Sequence, residues 1–276
     1  MSTLTQAANI DPNTQKQLEE LEKKSAERSL AKDILLPECP DAKRGTPNSF
    51  LRSALFSATQ GQDNKDRPYL DGAILASQQG FTIKYTGKQL NQDDLTLWET
   101  LVHLAKEQPL SNICEFTAYE ILKSLQINTG KAEYDRLEKG IDRLTACQVK
   151  ITFNGKTFSR SLIIGYEKLE ATSHYRLELS LDLIKLYGKS DWTAIDWGQR
   201  ITLRKKPMAQ FLHGYYSSHK APYPVKVATL HQLSGSKTKR LAKFKENLKA
   251  ALDELVKIDF LESYSIEDDL VTVKRK

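Results

Sequence analysis

The stretch Leu233–Phe260, LSGSKTKRLAKFKENLKAALDELVKIDF, decides how the chain is read. Six Lys or Arg lie between Lys237 and Lys249 against one acid, Glu246. Through them runs an apolar series, Leu241, Phe244, Leu248, Ala251, Leu252 and Leu255, whose steps of three and four fall on one face of a helix. The segment is either an amphipathic helix with a solvated basic face or a helix shaped to enter something negatively charged. Its neighbours weigh on that choice.

Upstream, AILASQQGFTIKYTG (Ala73–Gly87) alternates as two short strands do. NQDDLTLWETLVHLAKEQ predicts a helix opening on Asn or Asp and burying Leu97, Trp98, Leu101, Val102, Leu104 and Ala105. ICEFT reads as a strand, AYEILKSL as a short helix and GKAEYDRLEKGIDRLTAC as a longer one. VKITFNGKTFSRSLIIGYEKL gives two strands about Asn154-Gly155, a strong hairpin signal. Helix, short strand, short helix, long helix, hairpin is the winged helix-turn-helix plan.

The plan recurs. Tyr134, Leu137, Ile141, Leu144, Val149, Ile151 and Phe153 each have an apolar counterpart 107 residues later, from Leu241 through Phe244, Leu248, Ala251, Val256 and Ile258 to Phe260. Before the turn the offset is 108, pairing Leu122 with Leu230 and Leu125 with Leu233. The expected fold is therefore α+β: two tandem winged-helix domains at 49–190 and 191–276, behind a flexible N-terminal arm and linker at 1–48. That arm is polar, and its LPECPDAKRGTPNS segment is rich in helix-ending Pro and Gly.

In the second long helix the bases crowd the start, and the acids Asp253 and Glu254 come last. The helix dipole favours the opposite order. A recognition helix has reason to be so arranged, because its N-terminal residues meet base edges and phosphates in the major groove. Lys239, Arg240, Lys243 and Asn247 are expected to face outward, with Lys237 beside them. Lys and Arg suit guanine, and Asn247 suits adenine. Ser236 and Thr238 suit phosphate.

The first long helix is nearly neutral, with four bases and four acids from Lys131 to Arg143. Its outer face is read as Arg136, Lys139, Gly140 and Arg143. DNA contact through Lys131, Arg136, Lys139 and Arg143 and a protein contact stand as equal readings. Arg204, Lys205 and Lys206, Lys220 and Lys226, and wing residues Lys156, Arg160, Lys274 and Arg275 are candidate phosphate clamps with salt-dependent affinity.

The chain has 276 residues, 39% hydrophobic and 28% charged, with net charge +6, which favours acidic partners such as nucleic acid. Cys39, Cys114 and Cys147 are too few and scattered for a disulfide framework or zinc site, and read as thiols of a reducing cytoplasm. No secretory signal and no apolar run of about 18 residues is present, so no membrane contact is expected. GKS at Gly188–Ser190 lacks the earlier glycine of a phosphate-binding loop, its place being taken by Leu183. The five histidines form no metal-ligand pair, and Asp191 and Asp196 in DWTAIDW stand without a catalytic partner. A binding protein without cofactors is expected, not an enzyme.

Several stretches resemble the TrfA family of plasmid replication initiators: RSALFS (Arg52–Ser57), IKYTGKQLNQDDLTLWETLVHLAK (Ile83–Lys106) and YYSSHKAPYPVKVATL (Tyr215–Leu230). The resemblance covers the chain from about Pro47 onward. It implies two winged-helix domains binding repeated sites, called iterons, in double-stranded origin DNA. It further implies opening of adjacent AT-rich DNA into single strands, recruitment of the host replicative helicase and sliding clamp, and a monomer–dimer equilibrium. Where the family's clamp-binding segment falls, this chain reads AKDILLPECPDAKRG; Ile34, Leu35 and Leu36 are apolar, but that segment's Gln and Phe are missing. A transcriptional repressor on a palindromic operator, or a protein-interaction module, uses the same two units as alternatives.

Overall fold

The computed structural model describes residues 36, 39–59, 67–78, 80–106, 112–153, 155–187 and 191–276. In chain order, β1 (Lys43–Pro47) runs into one turn of helix, α1 (Asn48–Leu51), and the short strand β2 (Phe56–Ser57). Next come β3 (Tyr69–Leu75), β4 (Phe81–Lys88) and β5 (Leu90–Asn91), then the long helix α2 (Gln92–Lys106). Asn91 starts α2 as its sequence promised: its Oδ1 accepts from the amides of Asp93 and Asp94, and Asp94 Oδ2 accepts from the amide of Asn91. Then follow β6 (Ile113–Thr117), α3 (Ala118–Ser124) and α4 (Lys131–Thr145). Thr117 and Glu120 close a capping box on α3.

After α4 come four strands, β7 (Gln148–Phe153), β8 (Lys156–Arg160), β9 (Ile163–Leu169) and β10 (His174–Leu179), and a short helix α5 (Leu181–Ile184). β11 (Trp192–Asp196) and α6 (Trp197–Thr202) connect to α7 (Pro207–Ser217). The chain finishes with β12 (Val225–Lys226), α8 (Val227–Leu233), α9 (Leu241–Lys257), β13 (Leu261–Glu267) and β14 (Leu270–Arg275).

Two cores form. The first gathers Trp98, Leu101, Ile121, Ile141, Val149, Ile151 and Leu177 around α2, and takes in Ile195, Trp197 and Ile201 from the connector. The second takes Ala58 from upstream, runs from Leu203 onward and closes around Leu212, Tyr216, Leu230, Phe244, Leu248, Leu255 and Val271. In it, α9 packs on α7 and α8, and α8 and α9 meet a three-stranded sheet of order β12–β14–β13.

Three expectations change. The linker reading fails for Lys43–Pro47: β1 pairs antiparallel with β11, from Lys43 opposite Asp196 to Pro47 opposite Trp192, and Arg44 and Thr46 are buried. The hairpin of β7 and β8 is not the strand pair that closes on β6. Its inward residues match those of β4, Ile151 opposite Ile83 and Val149 opposite Tyr85, so it joins a four-stranded sheet of order β3–β4–β7–β8. β9 and β10 close on β6 instead, in the order β6–β10–β9. Third, the 107-residue repeat joins equivalent elements only as far as the long helices. Val149 lies in β7, but its counterpart Val256 lies in the last turn of α9, which runs 17 residues against 15 for α4. Most of the N-terminal arm, Ile34 and Leu35 included, lies outside the described residues, as does the GKS stretch. Leu36 is buried in the first core, so it is not free for a partner.

Candidate nucleic-acid interface

α9 buries Phe244, Leu248, Ala251, Leu252 and Leu255. Leu241, expected inside, is 40% exposed, because the helix begins there and its first turn projects beyond the core. Arg240 is the N-cap, makes no side-chain cap bond, and no acid stands in the first turn. The first amide to find a helical acceptor is that of Phe244, on Arg240 O. Such a helix start presents free N–H groups and the positive end of the dipole.

The preceding turn is strictly built. Gly235 has φ of +60°, and a Cβ there would stand 2.9 Å from Ser57 Cβ. The amide of Ala58 donates to Ser234 O at 2.7 Å, so the first unit braces the turn that aims α9. Thr238 O is held by His231 Nε2 at 2.8 Å. Ser236 and Thr238, assigned to phosphate, bond one another within the turn. The Ser236 hydroxyl donates to Thr238 Oγ1 and is spent within the turn, and around it the turn offers Lys237, Lys239 and Arg240, all exposed.

On α9 itself Lys243 is exposed and its Nζ lies 2.7 Å from Glu246, an exposed pair that contributes little. Asn247 is half-buried one turn further on. Lys245 pairs with Asp269 of the β13–β14 turn. The late acids have partners: Glu254 is bound by Lys206 at 2.6 Å and Lys257 at 3.0 Å, which hold its carboxyl below the usual range, and Asp253 accepts from Tyr264 Oη. Lys206 is therefore committed to α9. Lys226, exposed at the start of α8, is open to solvent, as is Lys205.

The other assigned cations divide. Lys131 and Lys139 of α4 are exposed, and Arg136 is exposed and 2.5 Å from Glu133. Arg143 is not a surface clamp. Its Nη2 lies 2.7 Å from Asp94 Oδ1, a carboxylate 1% exposed that also binds Arg67. Gly140, read as outward, is buried against Leu97. Arg204 is likewise occupied, donating from Nη2 to Leu125 O at 2.6 Å and from Nη1 to Gln126 O at 2.7 Å.

Of the basic residues expected at the wings, Lys156 is exposed at the start of β8, while the others have partners. Lys274 pairs with Glu262, Arg275 donates inward to Tyr216 O and His219 O, and the turn between β13 and β14 carries Glu267, Asp268 and Asp269. Arg160 is drawn to Asp182 at 3.0 Å.

Among the described residues no group of three metal-ligating side chains occurs, and no helix is long and apolar enough to cross a membrane. Cys39, Cys114 and Cys147 are buried and unpaired, and burial pushes the Cys114 thiol up to about 12. Sequence reasoning missed Gly235, Arg200 and Glu99. The first carried a signal, a glycine between two serines ahead of a helix; the other two carried none.

The chain is 30% identical over 242 residues to "Plasmid replication initiator protein TrfA" of Escherichia coli, matching 86% of this chain and 63% of that protein, so it spans less than two thirds of its relative. Among solved structures it resembles domains 2 and 3 of RctB, with a TM-score of 0.53 at 12% identity, over 83% of this chain and 98% of that one. The crystal structure of the Pi initiator protein in complex with iteron DNA gives a TM-score of 0.45 at 15% identity, over 65% of this chain and 95% of that one. The fold likeness rests on the first of these two. The model of the TrfA protein family matches residues 5–275, and the chain belongs to that family.

Proposed function

We propose that the chain is a plasmid replication initiator whose two units are winged-helix domains, and that α9 enters the major groove of repeated sites, the iterons, in double-stranded origin DNA. One observation carries this reading: an uncapped helix start with no acid in its first turn, fronted by exposed Lys237, Lys239 and Arg240 and followed by Lys243. Lys226 and Lys205 add phosphate contacts. α4 supplies a second, weaker contact through Lys131 and Lys139. The order helix, strand, helix, helix, two strands, with sheet β12–β14–β13, supports the winged-helix assignment in the second unit; in the first, the β7–β8 pair intervenes after α4, and β9 and β10 then close on β6 in the same order, β6–β10–β9.

The family resemblance extends the proposal to opening of AT-rich DNA into single strands, recruitment of the host helicase and clamp, and self-association as a dimer. The proposal also takes the chain to act in the cytoplasm, by binding and without a cofactor. Selection of bound fragments from random duplex DNA, followed by footprinting, tests the reading. Direct repeats with strand opening beside them are expected. A lone palindrome without opening would make the chain a repressor, and no retention at low salt would make it a protein-binding module.

A further inference from the structure

The connector between the two units is not a loose strand. β11 is zipped to β1 along its whole length. Behind it, Arg200 of α6 is fully buried, with Nε 2.6 Å from Oε2 of Glu99 in α2, which is also fully buried. Thr46 of β1 donates to Glu99 Oε1 at 2.7 Å, Arg200 Nη2 donates to Gln92 O at 3.2 Å, and Gln210 of α7 donates to Arg200 O at 3.5 Å. Burial raises the pKa of Glu99 and the charge of Arg200 opposes the rise. A buried ion pair of this kind adds little stability over a well-packed apolar substitute, so its effect is sought in the geometry it specifies.

Four residues after Arg200, Arg204 leaves the connector and grips Leu125 O and Gln126 O with two nitrogens. Those carbonyls belong to the turn between α3 and α4, where Gln126 has φ of +52°. In the opposite direction, the first unit's Ala58 amide and Ser57 hold Ser234 and Gly235 in the turn between α8 and α9. Each unit thus braces the turn that aims the other's long helix.

We infer that Arg204 is a positioning residue that, working from the Arg200–Glu99 anchor, fixes α4 relative to α9 and so sets the spacing of the two DNA segments the protein accepts. The inference rests on the reading that both units touch one site. A guanidinium suits the task because its planar fork reaches two neighbouring acceptors at fixed geometry; the point charge of a lysine does not.

The test uses the full chain and a family of duplexes. One or two base pairs are inserted between the two segments footprinted on the natural site, each adding about 3.4 Å and about 34° of rotation. Wild-type protein is expected to lose roughly fivefold to tenfold in all, the whole of the α4 contribution, once one or two inserted pairs carry the α4 contacts out of register. In Arg204→Ala the insertion penalty is expected to shrink to less than about threefold, with affinity for the natural spacing falling. Arg204→Lys keeps the charge but loses the fork, and is expected to follow the alanine variant in its spacing profile. Thermal melting establishes that both variants are folded at the assay temperature. An equal loss at every spacing, or restoration of the wild-type profile by lysine, would show Arg204 acting as a phosphate contact or a general brace, and overturns the inference. Wild-type binding indifferent to insertion overturns both this inference and the two-unit reading; a wild-type penalty that Arg204→Ala shares overturns the inference alone.

Discussion

α4 and α9 hold the same place in their units and bury three matching positions, Leu137 with Phe244, Ile141 with Leu248 and Leu144 with Ala251. Their outer surfaces part company. α9 opens on bases with nothing acidic in its first turn, and of its late acids Glu254 is paired with Lys206 and Lys257 while Asp253 accepts from Tyr264. α4 has Glu133 in its first turn, spends Arg143 on a buried aspartate, and meets β9 through Glu138 with Lys168 and Asp142 with Tyr166. A shared apolar period therefore fixes where a helix sits and says nothing about what it touches. That is decided by which of its charges are already engaged.

The largest expected effect separates the two helices directly. Lys239→Ala, Arg240→Ala and Lys243→Ala combined should cost roughly 3 kcal/mol of DNA affinity, on the order of a hundredfold, measured by anisotropy at fixed salt. The slope of log K against log salt should fall by about 2 to 3 as well. These side chains are exposed, so the melting temperature should not move. Affinity within threefold of wild type would remove α9 from the interface.

Arg143→Ala comes second and acts on the fold. Asp94 keeps Arg67 but loses its 2.7 Å partner in a site 1% exposed. A cost of about 2 kcal/mol is expected, near 5 °C in melting temperature, with DNA affinity of the folded protein unchanged. A loss of affinity without a loss of stability would return Arg143 to the surface role its sequence position indicates.

Arg143 also shows what was legible in the sequence. The period of three and four placed both long helices, Asn91 announced the start of α2, and the Asn154-Gly155 pair announced the turn between β7 and β8. These are local signals, within reach of one helical turn or one hairpin. Unreadable were the partners that arrive from far along the chain: Asp94 for Arg143, 49 residues away, or Leu125 and Gln126 for Arg204, more than 70 away. The same holds for β1, which read as a linker because its partner strand is β11, and for the hairpin of β7 and β8, claimed by β4. Basic residues were correctly placed on helices and turns, but whether a given lysine or arginine is free depends on those distant contacts.

Third in size is Lys131→Ala with Lys139→Ala on α4. Both are exposed and clear of the core. A loss of less than about tenfold, with a salt slope smaller by up to about 2, is expected. A loss as large as that of the α9 variant would erase the ranking of the two helices, and no loss at all would assign α4 to a protein partner.

The smallest effect probes the acidic turn beside α9. Asp268 has φ of +46° and Asp269 φ of +61°, and Asp269 already serves Lys245 through its carboxylate and Val227 through its carbonyl. Asp268 is the one to change, and asparagine is the substitute because, like aspartate, it is among the side chains most often found in the left-handed region. Asp268→Asn should leave melting within a degree while removing one negative charge from the tip nearest the basic start of α8. If the tip approaches DNA, repulsion between that carboxylate and phosphate is relieved, and affinity rises about twofold at low salt. The gain should vanish near 0.5 M salt, where screening shortens the reach of charge to about 4 Å. Unchanged affinity at low salt would turn the tip away from DNA and leave α9 to bind without help or hindrance from its wing; weaker binding would mean that the carboxylate accepts a hydrogen bond from a base, and the acidic turn would then belong to the interface that its charge argues against.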